Sequence, residues 1–105
     1  MAEPSNPDEA RAYLAEMTAR RGYVLDYHRA IVHADLPFAR AANELIEAAY
    51  LAERRLDRRT KELIFIVSLT VMRADRAQIV SHIKVALELG VTPEEILEAI
   101  EISFP

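Results

Sequence analysis

Three polar side chains recur at helical spacing in the last third of the chain. Asp75, Gln78 and His82 stand three and then four residues apart in "ADRAQIVSHIKVALELGVTPEEI". At about 100° per residue they share one side of a helix with Ala86 and Leu89. Ile79, Ile83, Leu87 and Gly90 fall beside them as the expected core stripe. His82 is thereby expected at the border of the buried face. An imidazole titrates near neutrality, so a histidine at the edge of a cleft is suited to carrying protons. A lone histidine on a helix edge is also, and more often, a satisfied structural group.

A second polar point precedes it. Glu62 is the last charge before the apolar run "LIFIVSLTVM". A carboxylate at the mouth of a buried helix can orient a histidine. It can equally be a solvated glutamate in the first turn, where the helix dipole favours it. Arg58, Arg59, Arg73 and Arg76 could hold a carboxylate by paired N–H bonds or be ordinary surface charge. Other chemistries lack support. There is no cysteine, which removes disulfides, thiolate nucleophiles and Cys-zinc sites. His28 and His33 do not share a helical face, and no HxxxH or HExxH spacing occurs. Ser68 and Ser81 have no strand–turn–helix elbow around them. Neither a metal nor a cofactor is expected.

The elements that must position these residues read as helices. Asn6 and Pro7 look like an N-cap and a first helical position, after a loose tail over 1–6. A helix then runs to about Arg21 and stops at Gly22. A second, over about 23–33, turns Val24, Tyr27 and Ile31 inward, with His28 a further candidate for that face. A third, over 37–54, has Phe38, Ala41, Ala42, Leu45, Ile46, Ala49 and Ala52 on one stripe. Asp57 caps a fourth over about 58–72, apolar nearly all round from Leu63. Basic residues in its first turn oppose the helix dipole, which suggests that they serve something outside the helix. A fifth, over about 75–89, starts at Asp75 and ends at a left-handed Gly90. Thr92, Pro93 and Glu95 open a sixth with a capping box.

These six helices form one all-α domain over 1–105, of ordinary globular composition. Two glycines are few for a protein of tight hairpins. The net charge of −4, without a basic cluster, argues against nucleic acid as a partner. The longest apolar run is too short to span a bilayer, and the N-terminus is polar and acidic. The cytoplasm is the expected location, with no membrane partner. Ile96, Leu97, Ile100, Ile102 and Phe104 spread around the sixth helix. Such surplus apolar surface is expected to pack against another copy of the chain.

Two blocks carry a family likeness. "LDRRTKELIFIVSLTV" matches an LDRKTREL-like start to a central helix, and "HIKVALELGVTPEEILEAIEIS" matches a HxxxALxxGxTxEEI pattern. Together they cover about residues 56 to 103. The upstream "RGYVLDYHRAIVHADLPFARAANELIEAAYL" is similar more loosely. The chain thus resembles the carboxymuconolactone decarboxylase family, whose fold is that of the alkyl hydroperoxidase D-like proteins. The resemblance implies an all-helical fold assembled as a homotrimer or homohexamer, with sites near subunit contacts. It also implies a choice between two chemistries. The peroxidase-like branch uses CxxCxxxH with a glutamate on the preceding helix. Here the histidine falls on His82, the cysteines on Asp75 and Gln78, and the glutamate most nearly on Glu62, one residue further from the histidine than in that branch. Without either cysteine, thiol-based peroxide reduction has no known route. The cysteine-free branch decarboxylates a lactone carboxylic acid. In that likeness His82 donates the proton and Glu62 orients it. Arg73, Arg76, Gln78 and Asp75 are then the expected contacts to a small carboxylic acid. A non-catalytic oligomeric module with the same fold is the alternative.

Overall fold

The computed structural model describes residues 4–104. Among them are six α-helices, one short π-helical segment and no strand. They pack as two compact units that divide after Ala52. None of the helices is long and apolar enough to cross a membrane.

The first unit holds α1 (Pro7–Arg21), α2 (Asp26–Ala34), α3 (Leu36–Ile46) and a π-helical segment over Glu47–Leu51. Asn6 caps α1, its side chain accepting from the N–H groups of Asp8 and Glu9, with Pro7 in the first turn. Gly22 ends α1 at φ 88°, a conformation that favours glycine. Ala10, Met17, Val32, Leu36 and Ala39 form its core. The tail is not loose at Ser5. Its N–H donates to the His33 carbonyl at 3.0 Å, and its hydroxyl donates to the Val32 carbonyl at 2.6 Å. Residues 1–3 of that expected tail lie outside the described residues.

The expected stripe on the third helix is corrected. Phe38 and Leu45 are 59% and 70% exposed, and Ala41, Ala42, Ala49 and Ala52 are exposed too. The buried positions are Leu36, Ala39, Asn43 and Tyr50. The helical period was legible, but two stripes satisfy it, and burial takes the one anchored by Leu36. Tyr27 on α2 is also exposed, whereas Val24 and Ile31 pack against the core beside the buried Val32.

The second unit holds α4 (Arg58–Val71), α5 (Arg76–Glu88) and α6 (Pro93–Ile102), with α4 packed against both others. Ile66, Ala86, Val91 and Ile96 form its core, with Leu63, Ile83 and Ile100 against it. The caps stand where expected. Asp57 accepts from the Thr60 N–H at 2.7 Å, Asp75 from Ala77, and Thr92 and Glu95 form the reciprocal box of α6. Gly90 has φ 89°. Arg59, in the first turn of α4, does serve something outside that helix. It donates to the Gly90 carbonyl and faces Glu95 at 3.4 Å, tying the start of α4 to the turn before α6. Helix α4 is not buried all round, since Ile64, Val71 and the adjoining Met72 are exposed.

Candidate active site

Glu62 stands five residues after the cap of α4, on the face turned to α5. It has no exposed surface. His82 comes from the middle of α5 and is 2% exposed. His82 Nδ1 lies 2.5 Å from Glu62 Oε1, shorter than an ordinary N–H···O contact. A carboxylate only accepts, so with Glu62 ionised Nδ1 is the donor. Nε2 is then the ring nitrogen that Glu62 does not engage. Phe65, one turn beyond Glu62 on α4, lies flat on the imidazole, with centroids 4.2 Å apart and planes 12° apart.

Both members of this pair are more deeply placed than the sequence suggested. His82 does not sit at a border but in the buried face, with Val85 and Ala86. Leu87, expected in the core stripe, is 43% exposed. The buried face of α5 is rotated from the purely apolar stripe because α4 offers a carboxylate opposite His82. A polar side chain with a partner can occupy the core; one without cannot.

The remaining expected contacts are not gathered around the pair in the same way. Asp75 is exposed, and its carboxylate is engaged in capping α5. It lies seven residues before His82, about 10 Å along the helix axis. Gln78 is half-buried, one turn before His82. Arg73 and Arg76 are exposed at the α4–α5 turn. Arg73 has φ 55°, the left-handed conformation, where the chain leaves α4. That position ordinarily takes glycine or asparagine.

Sequence reasoning missed Phe65, although its spacing of three residues from Glu62 put both on one helix face. It also missed a second histidine site, in the first unit. His28 Nδ1 accepts the Leu25 N–H at 2.9 Å, and its Nε2 lies 3.3 Å from Arg21 Nη1. Arg21 is 5% exposed, and its guanidinium also lies over the Tyr23 ring. Burial, then the charges of Arg21 and Arg29, lower the His28 pKa to about 4. A cleft of about 290 Å³ in the same unit is lined by Tyr13, Arg20, Arg40, Asn43 and Glu47 among others, and contains neither Glu62 nor His82. No group of three or more His, Asp or Glu among the described residues could hold a metal ion.

The family model described as carboxymuconolactone decarboxylase matches residues 37–105, more than half of the chain. The chain belongs to the carboxymuconolactone decarboxylase family. The matched segment contains Glu62, Phe65 and His82, the whole second unit, and all of α3 but Leu36. Within the family this chain is cysteine-free. Searches of curated proteins and of solved structures gave no significant match.

Proposed function

We propose that the chain is a cofactor-free acid–base catalyst of decarboxylation or isomerisation, acting on a small lactone carboxylic acid. The observation that carries this reading is the buried Glu62–His82 bond. Burying two ionisable groups costs several kcal/mol each, and well-packed apolar residues of similar size often do as well or better for stability. The pair is therefore better explained by chemistry than by stability. When a carboxylate leaves as CO2, the C–C bonding electrons stay on the lactone as an extended enolate. That carbanion equivalent needs a proton at carbon. His82 supplies it through Nε2 and is recharged from solvent, while Glu62 holds Nδ1 and stabilises the imidazolium. Arg73 and Arg76, exposed at the α4–α5 turn, are the proposed contacts for the substrate carboxylates, with Gln78 one turn from His82. The imidazole has almost no exposed surface, so the substrate reaches it only after an opening motion of the surrounding side chains.

The active form is proposed to be a homotrimer or homohexamer in the cytoplasm. Support comes from the apolar surface left on and beside α6, where Leu97, Ile102 and Phe104 are 58%, 78% and 71% exposed.

A second reading rests on the same burial. A sealed His82, with Asp75 and Gln78 where the peroxidase-like branch has cysteines, also suits a non-catalytic oligomeric module. Carboxymuconolactone supplied to the purified protein separates the two. Loss of the lactone's absorbance and release of CO2 are expected with the natural chain. His82→Gln should lower turnover by about a hundredfold or more, with unchanged helical circular dichroism. Turnover that survives in His82→Gln removes the proton-carrying role. A folded, oligomeric natural chain with no turnover favours the module.

A further inference from the structure

The cleft of about 290 Å³ in the first unit runs between two helix stripes of the same spacing. On α1 it is lined by positions 13, 16, 17 and 20; on α3 and the segment that follows, by 40, 43, 44 and 47. Each set reads i, i+3, i+4, i+7, which is one face of a helix. Facing stripes that pack directly are mostly apolar. Here only Tyr13 and Met17 bring apolar bulk, and the other six positions are charged or amide. Polar side chains bridge the gap instead. Asn43 Nδ2 donates to the Tyr13 hydroxyl at 3.1 Å, and Arg20 meets the Glu47 carboxylate at 3.1 Å.

This bridging leaves three groups unanswered. Asn43 is 7% exposed. An ionised carboxylate only accepts, so the amide nitrogen must be the atom that faces Glu47 Oε1, at 3.3 Å. Asn43 Oδ1 is then a buried acceptor, with no hydrogen-bond partner among the described residues. Such an acceptor is costly to leave unmade and uncommon in native folds. Arg20 is answered by Glu47 and, at 3.9 Å, by Glu16. Arg40 meets no carboxylate among the described residues; its guanidinium lies over the Tyr13 ring, 5.4 Å from the centroid. Glu44, four residues on, meets no cation. Residues at that spacing can pair with each other, and these two do not. The cleft therefore keeps one cation, one carboxylate and one buried acceptor for something else.

We propose that the cleft binds a small zwitterion, an amino acid with an apolar side chain. Its carboxylate pairs with Arg40. Its ammonium donates to Glu44 and to Asn43 Oδ1, and its side chain rests against Met17 and Tyr13. An ammonium has three donors and no acceptor, so it can serve both oxygens at once. One turn of α3, about 5 Å along the axis, separates the anion-binding end from the ammonium-binding end. A simple anion would meet three glutamates on the walls, and a simple cation would meet two arginines. A ligand that carries both charges is complementary to both. Asn43 Oδ1 is itself covered, so entry moves a side chain at the rim, where Arg40 and Glu44 are both exposed.

The probe is L-leucine, set against its two halves: isocaproate, which lacks the ammonium, and isoamylamine, which lacks the carboxylate. Binding to the natural chain is read from the NMR signals of the Asn43 side-chain amide. Leucine should shift them saturably, with a dissociation constant of about a millimolar or tighter. Each half should bind about tenfold more weakly or worse. Arg40→Gln and Glu44→Gln, both at exposed positions, should each weaken leucine by about tenfold with unchanged helical circular dichroism. Either half binding as tightly as leucine overturns the proposal, and so does leucine binding that ignores both substitutions. No saturable shift with leucine up to about 50 mM overturns the site altogether. If a variant does not fold, the comparison of leucine with its halves on the natural chain still decides.

Discussion

His28 and His82 lie in different units and meet opposite neighbours. His82 Nδ1 meets a carboxylate at 2.5 Å. His28 meets a backbone N–H on one edge and a guanidinium on the other. Since His28 Nδ1 accepts from Leu25, the proton of the neutral ring must sit on Nε2, which faces Arg21 Nη1. Donor then meets donor, and a second proton would add a charge beside Arg21 and Arg29. His28 is held neutral and works as a helix cap. His82 is held where a charge on it has an acid to answer it. Two histidines equally plain in the sequence are therefore unlike in what they can do. The neighbour decides, not the residue type.

The comparison breaks most visibly at His82. Changing His82 to Leu leaves Glu62 buried without its histidine, and the loss should be about 3–5 kcal/mol in urea unfolding. A loss under about 1 kcal/mol would mean that Glu62 is readily solvated.

The next effect is in pH. The folded pKa of His28 is about 4, against an ordinary 6.5. As pH falls, the unfolded chain takes up this proton first. The contribution of His28 to stability is thus complete above about pH 6.5, falls between 6.5 and 4, and is flat below. Allowing for screening of a half-buried ring, the loss is about 2 kcal/mol. His28→Gln should remove that part of the pH profile. A difference between the two proteins that does not change over this window would contradict the assignment.

A smaller effect sharpens the contrast. His28 occupies the third position of α2, where Glu reaches back to the N-cap N–H in a capping box. Glutamate there would also give Arg21, whose Nε has no hydrogen-bond partner among the described residues, an opposite charge. His28→Glu should raise stability at neutral pH by about 1 kcal/mol, read as a higher thermal midpoint. The same change at His82 would set two carboxylates together and should be strongly destabilising. Least of all, Arg73→Gly should stabilise by about 0.5–1 kcal/mol, because φ 55° suits glycine. If Arg73 also binds substrate, the Michaelis constant for the lactone should rise although the fold is firmer.

Most of the local structure was legible because it is written in local chemistry. Asn6–Pro7, Asp57, Asp75 and the Thr92–Glu95 box mark helix starts by side-chain hydrogen bonds within three residues, and Gly22 and Gly90 mark stops by their φ angles. The depth of Glu62 and His82 was not legible. Each looks like a boundary residue on its own helix, and only their pairing across α4 and α5 makes burial affordable. The stripe on α3 failed for a related reason. Periodicity fixes how apolar residues repeat, but the side that is covered depends on what packs there. In this single chain Phe38 and Leu45 face outward.

The central claim is that the Glu62–His82 pair is kept for proton chemistry and not for stability. Urea unfolding of the double variant E62L/H82L tests it most directly. The account predicts a cooperative transition within about 1 kcal/mol of the natural chain, well short of the single-variant loss. A double variant destabilised by about 3 kcal/mol or more would show that the pair is needed for the fold, and would contradict the account.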